Sequence, residues 1–186
     1  MIYPTAAEIR GVQYPLHTDF RVGLRCLEVA GDPDISDEER ALGIIYLLFG
    51  FVPDGDYDEF LRIATDYLSC GEEQETHRAR RQDMDFRQDE KYIAASFMSD
   101  YKIDLSTASM HFWQFYRLLN GLTEHCVLSR VRELRDYDTS DIRDAKQRRK
   151  ILDAQQAVAL KRWLTREEQD AVDEFERLFG EGGEEA

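Results

Sequence analysis

One stretch limits the fold more than any other. Leu42, Ile44, Ile45, Leu47, Leu48 and Phe49 form a run that is apolar almost all round a helix. A helix of that length with no polar face belongs inside a core. Its borders are equally plain. Ser36 with Glu39 has the spacing of a capping box, in which the serine accepts from the third amide and the glutamate reaches back. Gly50 and the Pro53-Asp54-Gly55 turn close the run. A chain built round such a segment has to supply other amphipathic helices to cover it.

The flanking sequence supplies them. Thr18 or Asp19 caps a first helix to about Ala30, with Phe20, Leu24 and Leu27 as its apolar stripe, and Gly31-Asp32-Pro33 ends it. A third helix carries Tyr57, Phe60, Leu61, Ala64 and Leu68 on one face and stops at Gly71. Phe86, Ile93, Phe97 and Tyr101 recur at helical spacing, and residues 102–105 break the pattern. Ser106 or Thr107 is read as the cap of a fifth helix to about Leu122. Thr123 is read as the cap of a sixth, with Val127, Val131 and Leu134 inward. Thr139 or Ser140 starts a seventh, to about Leu160. Thr165 with Glu168 is a second capping box and opens a last helix, with apolar positions 171, 172, 175, 178 and 179. Before the first helix, Ile9, Val12, Tyr14 and Leu16 surround Gly11, which allows at most a short β-hairpin. The expectation is an all-α fold, a single helical domain of about seven to eight helices, with that hairpin at its N-terminus. Residues 1–160 form the main unit and 161–186 a C-terminal helix and acidic tail. Residues 71–84 lack apolar periodicity and read as a mobile loop.

Charge and composition narrow the function classes. The chain has 24 basic and 38 acidic residues and a formal net charge of −14. Such a surface repels phosphate backbones and anionic lipid, which argues against general nucleic-acid or membrane binding. It fits either a plain solvated surface or a basic protein partner. The basic run Lys146-Gln147-Arg148-Arg149-Lys150 has no interleaved aromatics for base stacking; a solvated helix face is the first reading and a docking face for an acidic partner the second. The longest apolar stretch, Ile44–Phe49, is far below the ~20 residues that span a bilayer. Cys26, Cys70 and Cys126 each fall in a stretch read as helical and are scattered, which fits free thiols in a reducing compartment better than a disulfide framework.

The search for chemistry finds no catalytic spacing. The four histidines, His17, His77, His111 and His125, make no HExxH, and neither GxSxG nor a P-loop is present. His125 and Cys126 are neighbours, so on a helix they diverge by about 100°. Asp32, Asp34 and Asp37 resemble part of a calcium loop without its glycine and closing glutamate; a capped acidic helix start explains them better. No catalytic residue, cofactor site or metal site is expected. The aromatic stretch 109–122 is the most informative. Ala108, Phe112, Phe115, Leu119 and Leu122 share one face, which is core. Met110, Trp113 and Arg117 lie elsewhere, beside Gln114 and Asn120. Either a neighbouring helix covers these three residues, or they form a partner-binding surface, since Trp, Met and Arg are favoured at interfaces.

Two stretches together resemble a known family. One is Gly11-Val12-Gln13-Tyr14-Pro15-Leu16-His17-Thr18-Asp19-Phe20-Arg21. The other runs from Asp85-Phe86-Arg87-Gln88-Asp89 through Tyr101-Lys102-Ile103-Asp104-Leu105 to His111-Phe112-Trp113-Gln114-Phe115, with Leu118–Leu122 and Val131–Arg135 extending it. They are similar to the bacteriophage "gene product fifteen" family of the tail modules of long-tailed phages and prophages. The resemblance covers roughly residues 9–155. Phe112-Trp113 stands where the family often has a second tryptophan. The resemblance implies phage tail morphogenesis, as a tail-assembly chaperone that binds the tape-measure protein, or alternatively as a structural subunit of the tail or connector. It also implies a place in the cytoplasm of the bacterial host and absence from the mature virion. The family brings no catalytic residues to carry over. Whether copies associate as a homo-oligomer is left open by the sequence.

Overall fold

The computed structural model describes residues 2–55, 57–72 and 83–179. Asp56, residues 73–82 and residues 180–186 lie outside them, and with these most of the loop expected over 71–84 and the C-terminal fraying.

The hairpin expected around Gly11 is present. Arg10 (φ 51°) and Gly11 (φ 80°) both take the left-handed conformation that a two-residue hairpin turn demands. They join β1 (Ala6–Ile9) to β2 (Val12–Pro15) in antiparallel register, Ile9 opposite Val12 and Ala6 opposite Pro15. Eight helices follow among the described residues: α1 (Phe20–Gly31), α2 (Asp37–Phe49), α3 (Asp58–Leu68), α4 (Glu90–Tyr101), α5 (Phe112–Asn120), α6 (Val127–Asp136), α7 (Ala145–Val158) and α8 (Arg166–Phe179). The protein is all-α apart from the hairpin. Both capping boxes form. Glu39 N donates to Ser36 Oγ at 3.2 Å while the Glu39 carboxylate accepts from Ser36 N at 2.9 Å. Thr165 and Glu168 do the same at 3.1 and 3.0 Å.

The core has two lobes. The first gathers Ile44, Ile45, Leu48 and Phe49 of α2 with Cys26 of α1, Phe60, Ala64 and Tyr67 of α3, and Phe112 of α5. The second gathers Phe20 of α1, Ile93 and Phe97 of α4, Phe115 and Leu119 of α5, and Leu128 of α6. Helices α1 and α5 therefore belong to both lobes. Phe20, Phe115 and Phe97 stack in sequence, with centroids 4.9 and 5.2 Å apart. At the crossing of α1 and α5 the buried Gly23 lies under the Phe112 ring.

Three helix starts differ from the sequence reading. Helix α5 begins at Phe112 and is capped by His111, so Ser106 and Thr107 cap nothing there. An antiparallel bridge takes the backbone first: Phe20 N donates to Met110 O at 3.0 Å and Phe112 N to Thr18 O at 2.8 Å. Ser106 instead donates to the Asp104 carboxylate. Thr123 donates its N–H and Oγ1–H to Asp100, leaving Cys126 to cap α6. Ser140 is held in an Asp138 turn, and Asp144 caps α7 through the amides of Lys146 and Gln147. At Ser106 and Ser140 a short-range carboxylate turn outcompetes the hydroxyl cap, and at Thr123 a carboxylate from the end of α4 does so. The cysteines shift with these boundaries. Cys26 is inside α1, but Cys70 follows α3 at φ 58° and Cys126 is a cap rather than a helix interior. All three are buried free thiols.

One buried ion pair closes the second lobe. Asp89, fully inaccessible, accepts both prongs of Arg135 at 2.8 and 2.7 Å. Arg135 also donates to Val158 O and Asp83 O, so its guanidinium is well satisfied, as a buried pair requires. After α7 the chain runs extended over residues 159–165 and recrosses the start of α4. Gln88 and Lys161 exchange two hydrogen bonds, and Trp163 Nε1 donates to Asp85 at 2.9 Å. Arg87 lies over the Trp163 ring, 4.7 Å from its centroid.

Candidate partner-docking site

Building upward from α5, the cap residue organises the surface. Nδ1 of His111 accepts from Trp113 N at 3.0 Å, and Nε2 lies 2.8 Å from Pro4 O. A carbonyl can only accept, so these two contacts call for the tautomer with its proton on Nε2. One imidazole thus caps the helix and anchors the N-terminal segment. Tyr3 follows that anchor and stacks on His111, with centroids 5.0 Å apart and planes 20° apart.

Trp113 is half-buried. Its indole N–H donates to Tyr67 O at 2.8 Å, and its six-membered ring covers the backbone at Gly71. Gly71 (φ 72°) has no Cβ, and one there would lie 3.3 Å from Trp113 Cη2. One helical turn further, the exposed Arg117 guanidinium is 5.3 Å from the Tyr3 centroid and 5.9 Å from that of Trp113. Tyr3, His111, Trp113 and Arg117 therefore form one aromatic platform topped by a cation. Of the three residues read as partner-binding, the structure brings Trp113 and Arg117 together. Met110 goes elsewhere, half-buried against the second lobe. Tyr3 was not singled out by sequence, since 108 positions separate it from its stacking partner. His111 was noted only as a histidine lacking catalytic spacing.

Beneath the platform, Tyr67 is buried against His111, Phe112 and Trp113. Its hydroxyl has no hydrogen-bond partner among the described residues. Burial, with smaller contributions from Cys70 and Cys26, pushes its pKa well above the ordinary phenol value.

A second surface feature lies across α1. A furrow of about 580 Å³ runs between α1 and α4, floored by Phe20, Leu24, Phe86 and Ile93. Arg25 and Glu28 from α1 face Arg87 and Glu90 across it. An apolar floor with mixed-charge rims is the arrangement that receives an amphipathic helix.

The remaining polar residues of interest are dispersed. His17 Nδ1 is 3.0 Å from Leu47 O, and His125 is exposed beside Glu124 while Cys126 is buried. His77 lies outside the described residues. Asp32 accepts from Asp34 N, Asp34 from Arg166 N, and Asp37 pairs with Arg40, so these carboxylates serve turns and helix starts. Among the described residues no group of three or more His, Cys, Asp or Glu side chains could hold a metal ion, and no helix is long and apolar enough to cross a membrane.

Comparison with protein families gives a match to the family described as Bacteriophage Gp15 protein, over residues 2–160. The chain belongs to the bacteriophage Gp15 protein family. The resemblance read from the two sequence stretches is thus correct at the level of the family, and membership gives the protein a phage-related structural or morphogenesis role. No curated protein and no solved structure matches the chain. The Gp15 match contains the hairpin, both lobes, the platform and the furrow, and it ends two residues after α7. Most of the extended segment and all of α8 lie beyond it.

Proposed function

We propose that this Gp15-family protein acts in phage tail assembly as a chaperone that binds the tape-measure protein, without catalysis of its own. The observation that carries this reading is the family match over residues 2–160. Two surface features support it. The Tyr3–Trp113–Arg117 platform has the residue types that dominate protein–protein hot spots. The α1–α4 furrow is shaped for an amphipathic helix, which is what a long helical partner offers. Met110 sits on the opposite side of His111 and contributes to the second lobe rather than to the platform.

Co-expression with the tape-measure protein tests the reading. The wild-type chain should co-purify with it. Arg117→Ala, a change at an exposed position, should weaken capture about tenfold, or ~1.4 kcal/mol. Its melting temperature should move by no more than about 3 °C, the shift that ~1 kcal/mol causes in a chain of this size. Failure of the wild-type chain to co-purify would count directly against the chaperone. The rival reading is a structural subunit of the tail or connector. Recovery of the chain in stoichiometric amounts from purified particles would favour that rival, and absence from them favours a chaperone that stays in the host cytoplasm.

A further inference from the structure

We propose that α7 of one copy pairs with α8 of a second copy, closing a two-fold dimer through two equal helix contacts. The inference starts from two helices that the monomer leaves uncovered. Helix α7 has no buried residue along its fourteen positions. It is held from one side only, where Gln155 donates to Leu134 O and Tyr137 O and where Val158 O accepts from Arg135. Leu152, on the flank of that side, is 44% exposed. Helix α8 is tied down at its first residue, where Arg166 N donates to Asp34. Beyond that residue the described side chains of α8 are exposed apart from Glu168, Val172 to 39%. The non-helical segment 159–165 separates the two helices of one chain.

Their charges are opposite. Lys146, Arg149 and Lys150 fall at i, i+3 and i+4 and put three exposed cations on one face at the start of α7, followed on that face by the exposed Asp153. No ion pair among the described residues uses any of them. On α8, Glu167, Asp170 and Glu174 fall at i, i+3 and i+7 and make an exposed acidic stripe that ends at the exposed Arg177. At 100° per residue this acidic stripe flanks the apolar side that begins at Ala171 and Val172, as Arg149 flanks Leu152 on α7. Each helix therefore offers an apolar line edged by charge, and the edges are complementary. In a chain of net charge −14, α7 is the place where an acidic helix of another copy meets attraction rather than repulsion. Two-fold symmetry makes the contact twice, α7 to α8 and α8 to α7. Each helix is fourteen residues, or roughly 21 Å, so both contacts can run three to four turns.

Sedimentation equilibrium on the full chain is the test. The wild-type protein should dimerise in the micromolar range, and its dissociation constant should rise at least tenfold between about 50 and 500 mM salt, as screening of exposed charge requires. The triple change Lys146→Glu, Arg149→Glu, Lys150→Glu should be monomeric, and so should Glu167→Lys, Asp170→Lys, Glu174→Lys. An equimolar mixture of the two should form a one-to-one heterodimer, because both contacts then pair opposite charges. Circular dichroism on each variant controls for loss of helix, and the salt dependence of the wild type needs no variant. A wild-type chain that stays monomeric at about 100 μM, a dimer indifferent to salt, or folded swap variants that do not associate when mixed would each overturn the proposal.

Discussion

Gly23→Ala puts a number on the joint between the two lobes. In an exposed helix interior this change would stabilise by about 1 kcal/mol, because alanine loses less backbone entropy than glycine. Position 23 is different. A Cβ there would lie 2.7 Å from Phe112 Cε2 and closer still to Cδ2 and Cγ. Phe112 is fully inaccessible and is hemmed in by Tyr67 and Tyr116, so its ring has nowhere to retreat. Either α1 and α5 move apart or the ring leaves its rotamer. Overpacking of this kind costs about 1–3 kcal/mol beyond any propensity gain. The net expectation is a loss of stability on the order of 1–2 kcal/mol, or roughly 2–8 °C in a chain of this size. Urea unfolding followed by circular dichroism measures it. The double variant Gly23→Ala, Phe112→Leu should cost less than the two single changes summed, since the smaller side chain relieves the clash. A Gly23→Ala protein as stable as the wild type, or additive double-variant energies, would show that α1 and α5 do not approach as described.

Other consequences are open to simple assays. Tyr67→Phe removes a buried hydroxyl with no partner among the described residues and should leave the melting temperature unchanged or raise it; a fall of several degrees would reveal a partner for that hydroxyl. Burial pushes the Cys26 thiol up to about 12 and, with help from Glu72, Cys70 up to about 11. At Cys126 burial also raises the value, but hydrogen bonding with Ser129 and Ser96 outweighs it and leaves the thiol below its ordinary value. Thiol labelling of the native protein at pH 8 should therefore modify Cys126 first, and labelling after denaturation should find all three; faster reaction at Cys26 would contradict its burial. Asp100 is held below the ordinary carboxylate range, first by the amide of Thr123. A depressed carboxylate stabilises the fold above its unfolded value, near 4, and that contribution disappears as pH falls through the folded value. Asp100→Ala should lower stability at pH 7 and shrink the difference from wild type below about pH 3; an equal difference at both pH values would refute the linkage.

The sequence carried the helices whose signals are local. The capping box at Ser36–Glu39, the apolar run behind it and the Gly50 stop belong to one short segment, and α2 forms where they place it. The box at Thr165–Glu168 behaves likewise. The reading failed where distant chain competes for the same backbone. Ser106 and Thr107 look like caps until Thr18 and Phe20 claim the amide and carbonyl groups of residues 110–112. Nothing within a window of fifteen residues can report that bridge. The platform was half legible for the same reason. Trp113 and Arg117, four apart on one helix, were grouped from spacing alone. A helix capped at Ser106 or Thr107 starts four or five residues too early and so groups Met110 with them, whereas the bridge turns its side chain toward the other lobe. Tyr3 enters only through the Pro4–His111 hydrogen bond. Asp89 and Arg135 each lay in a stretch that carried the family resemblance, yet their pairing joins positions 46 apart.

The construction of the platform bears on how a partner would be held there. Two of the rings have already spent their polar atoms inside the protein: the Trp113 indole N–H on Tyr67 O, His111 Nε2 on Pro4 O and Nδ1 on the α5 amide. What remains facing outward is ring surface and the Arg117 cation. A partner that lands on it gains apolar burial and a cation–π contact of about 0.5–2 kcal/mol. The rings are also fixed in advance by hydrogen bonds and by stacking of Tyr3 on His111, so little side-chain entropy is lost on docking. Such a surface discriminates weakly among sequences, because it asks for shape and apolar area rather than for matched hydrogen bonds. That is the property required to hold successive segments of a long helical chain, and it differs from the matched polar contacts that fix one subunit permanently against another. The same fixing ties the platform to the fold: every anchor runs to Tyr67, Pro4 or the α5 cap, so a change that loosens the first lobe at Phe112 or Tyr67 should weaken docking even where it leaves Trp113 and Arg117 in place.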